Sequence, residues 1–387
     1  MSYINPNEYG SLYFDNKEEN AVLNVLKNEK IFRYASDKVS TTDKFEEMLK
    51  KKVNCKYALG VTNGTSGLIT ALIGCDVKAG DRVLVSSYTF LATALAVKCL
   101  EAIPIPLNID LQNGFDLQDL EEELKKGCKA VIVVQLQGRC FDLSKVKCLL
   151  EKYNVKLIED SCQAFGAKIK DEYAGTIGDV GVYSFQQFKQ VSCGEGGAVV
   201  TNNKTIYQKM RNYTDMGAER NLFPNWNGND VLFGQNYRMN NIMAAILCEQ
   251  LKKVDDIILK QQKSRNYILS KVKLNNSINS VDPNGDTGMN ILLLLNSKEE
   301  FNNVKEIGNK HNIEVRRMWN GLYFENELFK RNKLTDVDLK NNSCSKSKEL
   351  VDRLAVISIP PILNKEDCNK IIDFLNEIKF GSDNNAI

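Results

Sequence analysis

The stretch GVYSFQQFKQVSCGEGGAVVT, residues 181–201, decides how the rest of the chain is read. It opens as a short β-rich run that ends at the Ser184 hydroxyl, and five residues later comes Lys189. A Gly194-Glu195-Gly196-Gly197 turn then leads into a second apolar run. Runs that are continuously apolar, rather than alternating, suit strands covered on both faces. A lysine held between such strands in a partly desolvated pocket loses some of its preference for charge. It can then attack an aldehyde and form a Schiff base. The plain alternative is a solvated loop lysine, one of 51 Lys and Arg residues.

Working outward, β-rich runs at 57–61, 82–86, 104–108, 130–134, 156–160, 181–185 and 198–201 alternate with helical spacing at 65–74, 89–100, 117–126 and 143–153. This alternation predicts an α/β fold with a mostly parallel, seven-stranded sheet wrapped by helices. After Thr201 the pattern predicts a helix at 206–215, a Gly/Asn/Pro-rich loop at 216–234 and a long helix at 240–272. A smaller α+β unit follows, with a strand at 291–295, helices at 298–311 and 365–379, and a polar surface loop at 326–348. The expected division is 1–255 for the N-terminal segment and large domain, and 256–387 for the small C-terminal domain. No internal repeat at solenoid periods is visible.

Composition narrows the function. The 387 residues are 43% hydrophobic and 26% charged, the profile of a water-soluble globular chain long enough for two domains. Lys plus Arg (51) nearly balances Asp plus Glu (49), so nothing calls for nucleic acid or an acidic membrane as partner. One histidine, His311, is too few for a His-ligated metal site, and no metal is expected. Eleven cysteines without a C-x-x-C pair resemble neither a disulfide framework nor a zinc site. Reduced thiols in the cytoplasm are the expected state. The N-terminus shows no secretory signal, and the weakly polar run 83–97 is too short to span a membrane.

Two further segments carry chemistry. Val61-Thr-Asn-Gly64-Thr65-Ser66-Gly67 sits where a strand gives way to a helix. Free amides and two hydroxyls there suit a phosphate dianion, and Gly64 admits close approach. The alternative is an ordinary capped turn. Leu157-Ile-Glu-Asp160-Ser-Cys-Gln163 delivers Asp160 at the carboxyl end of an apolar strand. A carboxylate there can keep a ring nitrogen protonated, or simply cap the next turn. A phosphate cradle, an acid for a ring nitrogen and an aldehyde-trapping lysine are together the parts that a pyridoxal phosphate site needs.

These motifs, NGTSGL at 63–68, GDRVLVSSYTFLAT at 80–93, IEDSCQAFGA at 158–167, GDVGVYSF and GEGGAVVT within 178–201, and GQNYRM at 234–239, resemble the DegT/DnrJ/StrS sugar aminotransferases. That family belongs to the fold-type I, aspartate-aminotransferase-like pyridoxal phosphate enzymes, and the likeness implies a role for each matching residue. Lys189 would form the Schiff base and shuttle the proton, and Asp160 would pair with the pyridine nitrogen. Gln163 would hydrogen-bond the ring's phenolic oxygen, and Phe90 would stack on one ring face with Cys162 near the other. Gly64, Thr65, Ser66 and Ser184 would hold the phosphate. Asn236 would reach it from a neighbouring subunit, so a homodimer with sites at its interface is implied. Asn236 capping the long helix, and Phe90 lying in the core, are the structural alternatives.

The resemblance implies transamination from L-glutamate or L-glutamine to a keto- or aldehydo-sugar in amino-sugar biosynthesis. The Glu-Lys-Ile-Phe-Arg-Tyr stretch at 29–34 departs from the commoner nucleotide-sugar pattern. It resembles the branch, tied to lipopolysaccharide, that includes the 8-amino-3,8-dideoxy-manno-octulosonate transaminase. The SFQQ-x-Lys wording is also similar to scyllo-inosose aminotransferases and aminohydroxybenzoate synthases. Arg33 and Tyr34 are candidate acceptor contacts, with Arg33 binding a carboxylate; Tyr88 and Arg238 are further candidates, and Arg316-Arg317 a second anion contact. Relatives with histidine in place of the lysine are dehydratases, a route that Lys189 argues against. A non-catalytic regulator on the same fold would need a nucleic-acid-binding appendage.

Overall fold

The computed structural model describes residues 9–28, 30–35, 39–112, 114–217, 233–272, 285–319, 321–331 and 344–378. It begins with α1 (Asn16–Lys27) and α2 (Thr41–Val53), each opened by a capping box, Asp15 with Glu18 and Ser40 with Asp43. Strands and helices then alternate: β1 (Tyr57–Val61), α3 (Gly64–Gly74), β2 (Arg82–Ser86), α4 (Leu91–Cys99), β3 (Ile103–Leu107), α5 (Leu117–Lys125), β4 (Ala130–Val134), α6 (Ser144–Tyr153) and β5 (Lys156–Asp160). A small hairpin, β6 (Lys168–Ile169) with β7 (Glu172–Tyr173), precedes β8 (Val180–Ser184), β9 (Gly197–Thr201), α7 (Lys204–Thr214) and α8 (Asn241–Lys271). The remainder comprises β10 (Asn290–Leu294), α9 (Glu300–Lys310), α10 (Glu327–Arg331), α11 (Ser345–Asp352), β11 (Leu354–Ser358) and α12 (Lys365–Glu377).

Seven strands make one sheet in the order β1-β9-β8-β5-β4-β2-β3. Neighbours from β8 through β3 pair parallel, and β9 runs against both β8 and β1. This is the expected α/β architecture with its mostly parallel sheet. Helices cover the faces, so central strands are apolar on both sides. All five residues of β4, AVIVV, are buried, and each such Val or Ile withdrawn from water contributes about 1.5–3 kcal/mol. The helix α3 lies so close that a Cβ on Gly67 would stand 2.8 Å from Val182 Cγ1.

Element ends differ from the sequence reading by a few residues, for local reasons. The helix expected from Thr89 starts at Leu91, because Phe90 keeps extended backbone angles as the N-cap. Asn240 caps α8 by accepting the Met243 amide at 3.0 Å, so Asn236 is not the cap. The reading omits α1, α2, α11 and β11. Part of the expected surface loop at 326–348 is α10 and the start of α11, and their Phe329 and Val351 join the core of the large sheet. Residues 332–343 of that loop, and 218–232 of the loop expected at 216–234, lie outside the described residues.

The small unit pairs β10 antiparallel with β11, and its core joins Leu293 and Ile357 to Phe301 of α9 and Phe374 of α12. The expected boundary after residue 255 falls inside α8. Leu247, Leu251 and Val254 of that helix share a core with Phe45 of α2, while its Ile268 belongs to the small unit's core. Thus α8 is common to both units. Among the described residues no helix is long and apolar enough to cross a membrane, and no three His, Cys, Asp or Glu side chains group as a metal site.

Candidate active site

Three strands of the sheet end in one place. Beyond β1, Asn63 is extended and caps α3: its Oδ1 accepts the Ser66 amide at 2.8 Å, and Ser66 Oγ accepts the Asn63 amide at 3.1 Å. The Ser66 hydroxyl also donates to the Asn63 carbonyl at 2.8 Å. Ser66 is therefore buried and engaged in capping, which departs from the expectation that its hydroxyl meets a phosphate. The first amides of a helix have no intrahelical acceptor, and here they belong to Gly64, which is buried, and Thr65, which is exposed. A Cβ on Gly64 would come within 3.0 Å of both Cys162 Sγ and Ser184 Cβ, so that space is open only because residue 64 is glycine.

The strand β5 brings Asp160 to the same edge. Its buried carboxylate accepts the Thr93 hydroxyl at 2.7 Å and the Cys162 amide at 3.2 Å. Thr93, one helical turn beyond Phe90, escaped the sequence reading; the Thr89–Thr93 spacing on one helix face was its only signal. Gln163 is half-buried, and its Oε1 accepts the Gln137 amide at 3.4 Å. The Phe90 ring is 57% exposed at the start of α4, so it is not a core residue.

After β8 the chain folds back to β9 through a loop closed by Phe185 N–H to Gly196 O at 2.8 Å and Gln187 N–H to Gly194 O at 2.9 Å. Gly194 has φ +85°, a value that suits glycine. Lys189 sits half-buried in this loop, and no carboxylate pairs with its ammonium among the described residues. Burial pushes the Cys162 thiol well above its ordinary pKa; the Asp160 carboxylate adds to the rise and the Lys189 ammonium opposes it. Both charges therefore act on one sulfur, and that sulfur lies beside Gly64 and Ser184 at the strand ends.

The segments expected to meet the acceptor are arranged differently. Arg33 is only 5% exposed and grips Glu46 with both terminal nitrogens, at 2.7 and 2.8 Å. Burial disfavours its charge, but Glu46 more than offsets this and holds the guanidinium protonated. It is thus not an open carboxylate contact, because Glu46 already fills that role. The Tyr34 hydroxyl donates to Asp215 at 2.7 Å, and burial together with that bond pushes its pKa up to about 12. Arg238 pairs with the same Asp215 and lies 5.6 Å from the Phe32 ring centroid. Tyr88 is 1% exposed, its hydroxyl accepts the Trp319 amide at 3.3 Å, and burial pushes it up to about 12. Arg316 donates to Ser358 at 2.9 Å and Arg317 to the Asp352 carbonyl at 2.8 Å, with Arg317 also over the Phe301 ring. Asn236, by contrast, is exposed beside the Asp215 backbone bridge.

Residues 13–376 match the DegT/DnrJ/EryC1/StrS aminotransferase family. The chain is 36% identical over 231 residues to GDP-perosamine synthase of Escherichia coli O157:H7, covering 59% of this chain and 62% of that protein. It is 31% identical over 236 residues to dTDP-3-amino-3,6-dideoxy-alpha-D-galactopyranose transaminase of Aneurinibacillus thermoaerophilus, covering 60% and 62%. These matches thus span less than two thirds of either relative. Among solved structures, an aminotransferase from Psychrobacter cryohalolentis superposes with a TM-score of 0.82 at 24% identity, covering 94% of this chain and 96% of the other.

Proposed function

The chain belongs to the DegT/DnrJ/EryC1/StrS aminotransferase family, whose cofactor is pyridoxal phosphate, and from that premise we propose that it moves an amino group from L-glutamate or L-glutamine to a keto- or aldehydo-sugar. The observation that carries this reading is the convergence of Gly64, Cys162 and Ser184 at the carboxyl edge of the sheet, with Asp160 bonded to the Cys162 amide and Lys189 in the loop that follows Ser184. The residues present fit the cofactor. Gly64 keeps open a cradle that a Cβ would fill, the half-buried Lys189 has no carboxylate partner among the described residues, and Phe90 holds an exposed ring at the start of α4.

When bound, pyridoxal phosphate supplies an electrophilic carbon and an electron-withdrawing ring. The chain's own groups do the rest. The Lys189 amine holds the cofactor and, when released, carries a proton to and from the substrate carbon, which lets a chain with one histidine perform acid–base work. Asp160, fixed by the Thr93 hydroxyl, keeps the ring nitrogen protonated, since an adjacent negative charge favours that form. Gln163 and Phe90 would help hold the ring, and the Gly64 and Thr65 amides with the Ser184 hydroxyl would hold the phosphate. Asn236 of a second copy completes that phosphate site, so the working form is a homodimer.

Relatives named for GDP- and dTDP-linked sugars support a sugar acceptor. An octulosonate acceptor loses the carboxylate contact assigned to Arg33, which Glu46 already occupies. The test is to mix purified protein with L-glutamate or L-glutamine alone, and to follow the cofactor's visible absorption. Bleaching followed by recovery on adding one member of a panel of nucleotide-linked keto-sugars, keto-sugar acids or cyclitol ketones supports the reading and names the acceptor. Indifference to every amino donor contradicts it.

A further inference from the structure

We propose that Gly10 is a positioning residue for Lys189, and that residues 9–13 form a strap holding the backbone of the reactive lysine. This rests on the reading of Lys189 given above. Gly10–Tyr13 is one short 3-10 turn, and the Gly10 amide donates to the Lys189 carbonyl at 3.0 Å. The next residue, Gln190, is held from another side. Its Nε2 donates to Gln261 of α8 at 2.7 Å, and Gln261 Nε2 donates to the Ile359 carbonyl beyond β11 at 3.1 Å. The strap is tied down at its other end, where the Tyr13 carbonyl accepts Lys253 at 2.7 Å. The same ammonium pairs with Asp15 at 3.1 Å and Glu18 at 2.7 Å.

Space, not backbone angle, makes residue 10 a glycine, since it is absent from the positive-φ positions. A Cβ there would stand 2.7 Å from the Gln190 carbonyl oxygen, 3.0 Å from the Gln190 carbonyl carbon and 2.9 Å from Gln250 Oε1. Two of the three obstacles are main chain directly after Lys189. A side chain at position 10 must therefore push the strap away or shift the lysine's own backbone. A loop-borne reactive group keeps its geometry only through such supporting contacts, and a displacement of about 1 Å can cost about 100-fold in rate.

The test compares wild type with Gly10→Ala, Gly10→Ala/Gln250→Ala and Lys253→Met. In cofactor-free protein, hydrogen exchange of the peptide covering 186–193 should be faster in all three. With cofactor, Gly10→Ala should lose about 10- to 100-fold in kcat and shift the pH midpoint of the visible band, while the donor KM stays within about twofold. The double variant should remain impaired, because removing Gln250 leaves the Gln190 backbone in place. Full recovery in the double variant, or wild-type exchange and spectrum in Gly10→Ala, overturns the proposal. Should Gly10→Ala fail to fold, Lys253→Met decides, and unchanged exchange at 186–193 rejects the strap. A wild-type protein that does not hold its cofactor on Lys189 defeats the proposed function instead, and the exchange results stand apart from it.

Discussion

The two sides of the site treat their polar groups in opposite ways. At the strand ends, Lys189 has no carboxylate partner among the described residues, Thr65 and the Phe90 ring are exposed, and Gly64 keeps a space open. Along 31–34 and 236–238, the groups that look like ligands are bound to one another: Arg33 to Glu46, and Tyr34 and Arg238 to Asp215. A buried charge is tolerated only when paired, so a paired arginine is part of the scaffold. Lys189, by contrast, has no carboxylate among the described residues to compete with a ligand. What separates the two regions is therefore who already holds each group, not which residue types they contain.

The largest expected effect breaks the scaffold side. Arg33→Ala leaves Glu46 buried without its partner and should cost about 3–5 kcal/mol in denaturant unfolding, with the acceptor KM of the folded fraction unchanged. Ordinary stability with a raised acceptor KM would return Arg33 to the acceptor site. On the open side the order reverses. Asp160→Asn is isosteric and keeps the Cys162 amide bond on Oδ1, while the Thr93 hydroxyl turns from donor to acceptor of Nδ2, so most of the stability should hold while kcat falls by about 100-fold or more. A variant as active as wild type would remove Asp160 from the chemistry.

The smallest effect lies away from both, where α11 docks on the large domain. Burial, which would raise the pKa of Asp116, is outweighed by the hydrogen bond and charge of Lys346, 2.6 Å away, together with the Asp119 and Gln118 amides, and the carboxyl sits below its ordinary range. The unfolded chain binds that proton more readily, so the pair adds stability above the usual aspartate pKa. This gain disappears as pH falls through the lowered folded value. Lys346→Met should flatten that acid limb by about 0.2–1 kcal/mol, read from unfolding midpoints against pH. An unchanged limb would show that the pair contributes nothing.

The sheet was legible because β4 and its neighbours are short apolar runs with a fixed chain order, and burial on both faces demands that pattern. The open side of the site was legible for a related reason. Asp160, Ser184 and Lys189 sit at or just after strand ends, where a local motif predicts position. Partner sharing was not. Tyr34 and Asp215 are 181 residues apart, and Thr42 and Asn241 199 apart, so no window of sequence shows that they meet. Gly10 was missed likewise: its glycine identity answers to Gln190, far along the chain. The capping boxes of α1 and α2 were readable, and the omission of those helices has no such excuse.

Everything proposed for the open side depends on Lys189 carrying the cofactor. Borohydride reduction of the yellow protein, followed by peptide mass mapping, tests it most directly. One reduced pyridoxyl group is expected, on Lys189 within the peptide spanning 186–193. A tag on any other side chain, or none at all, would contradict it.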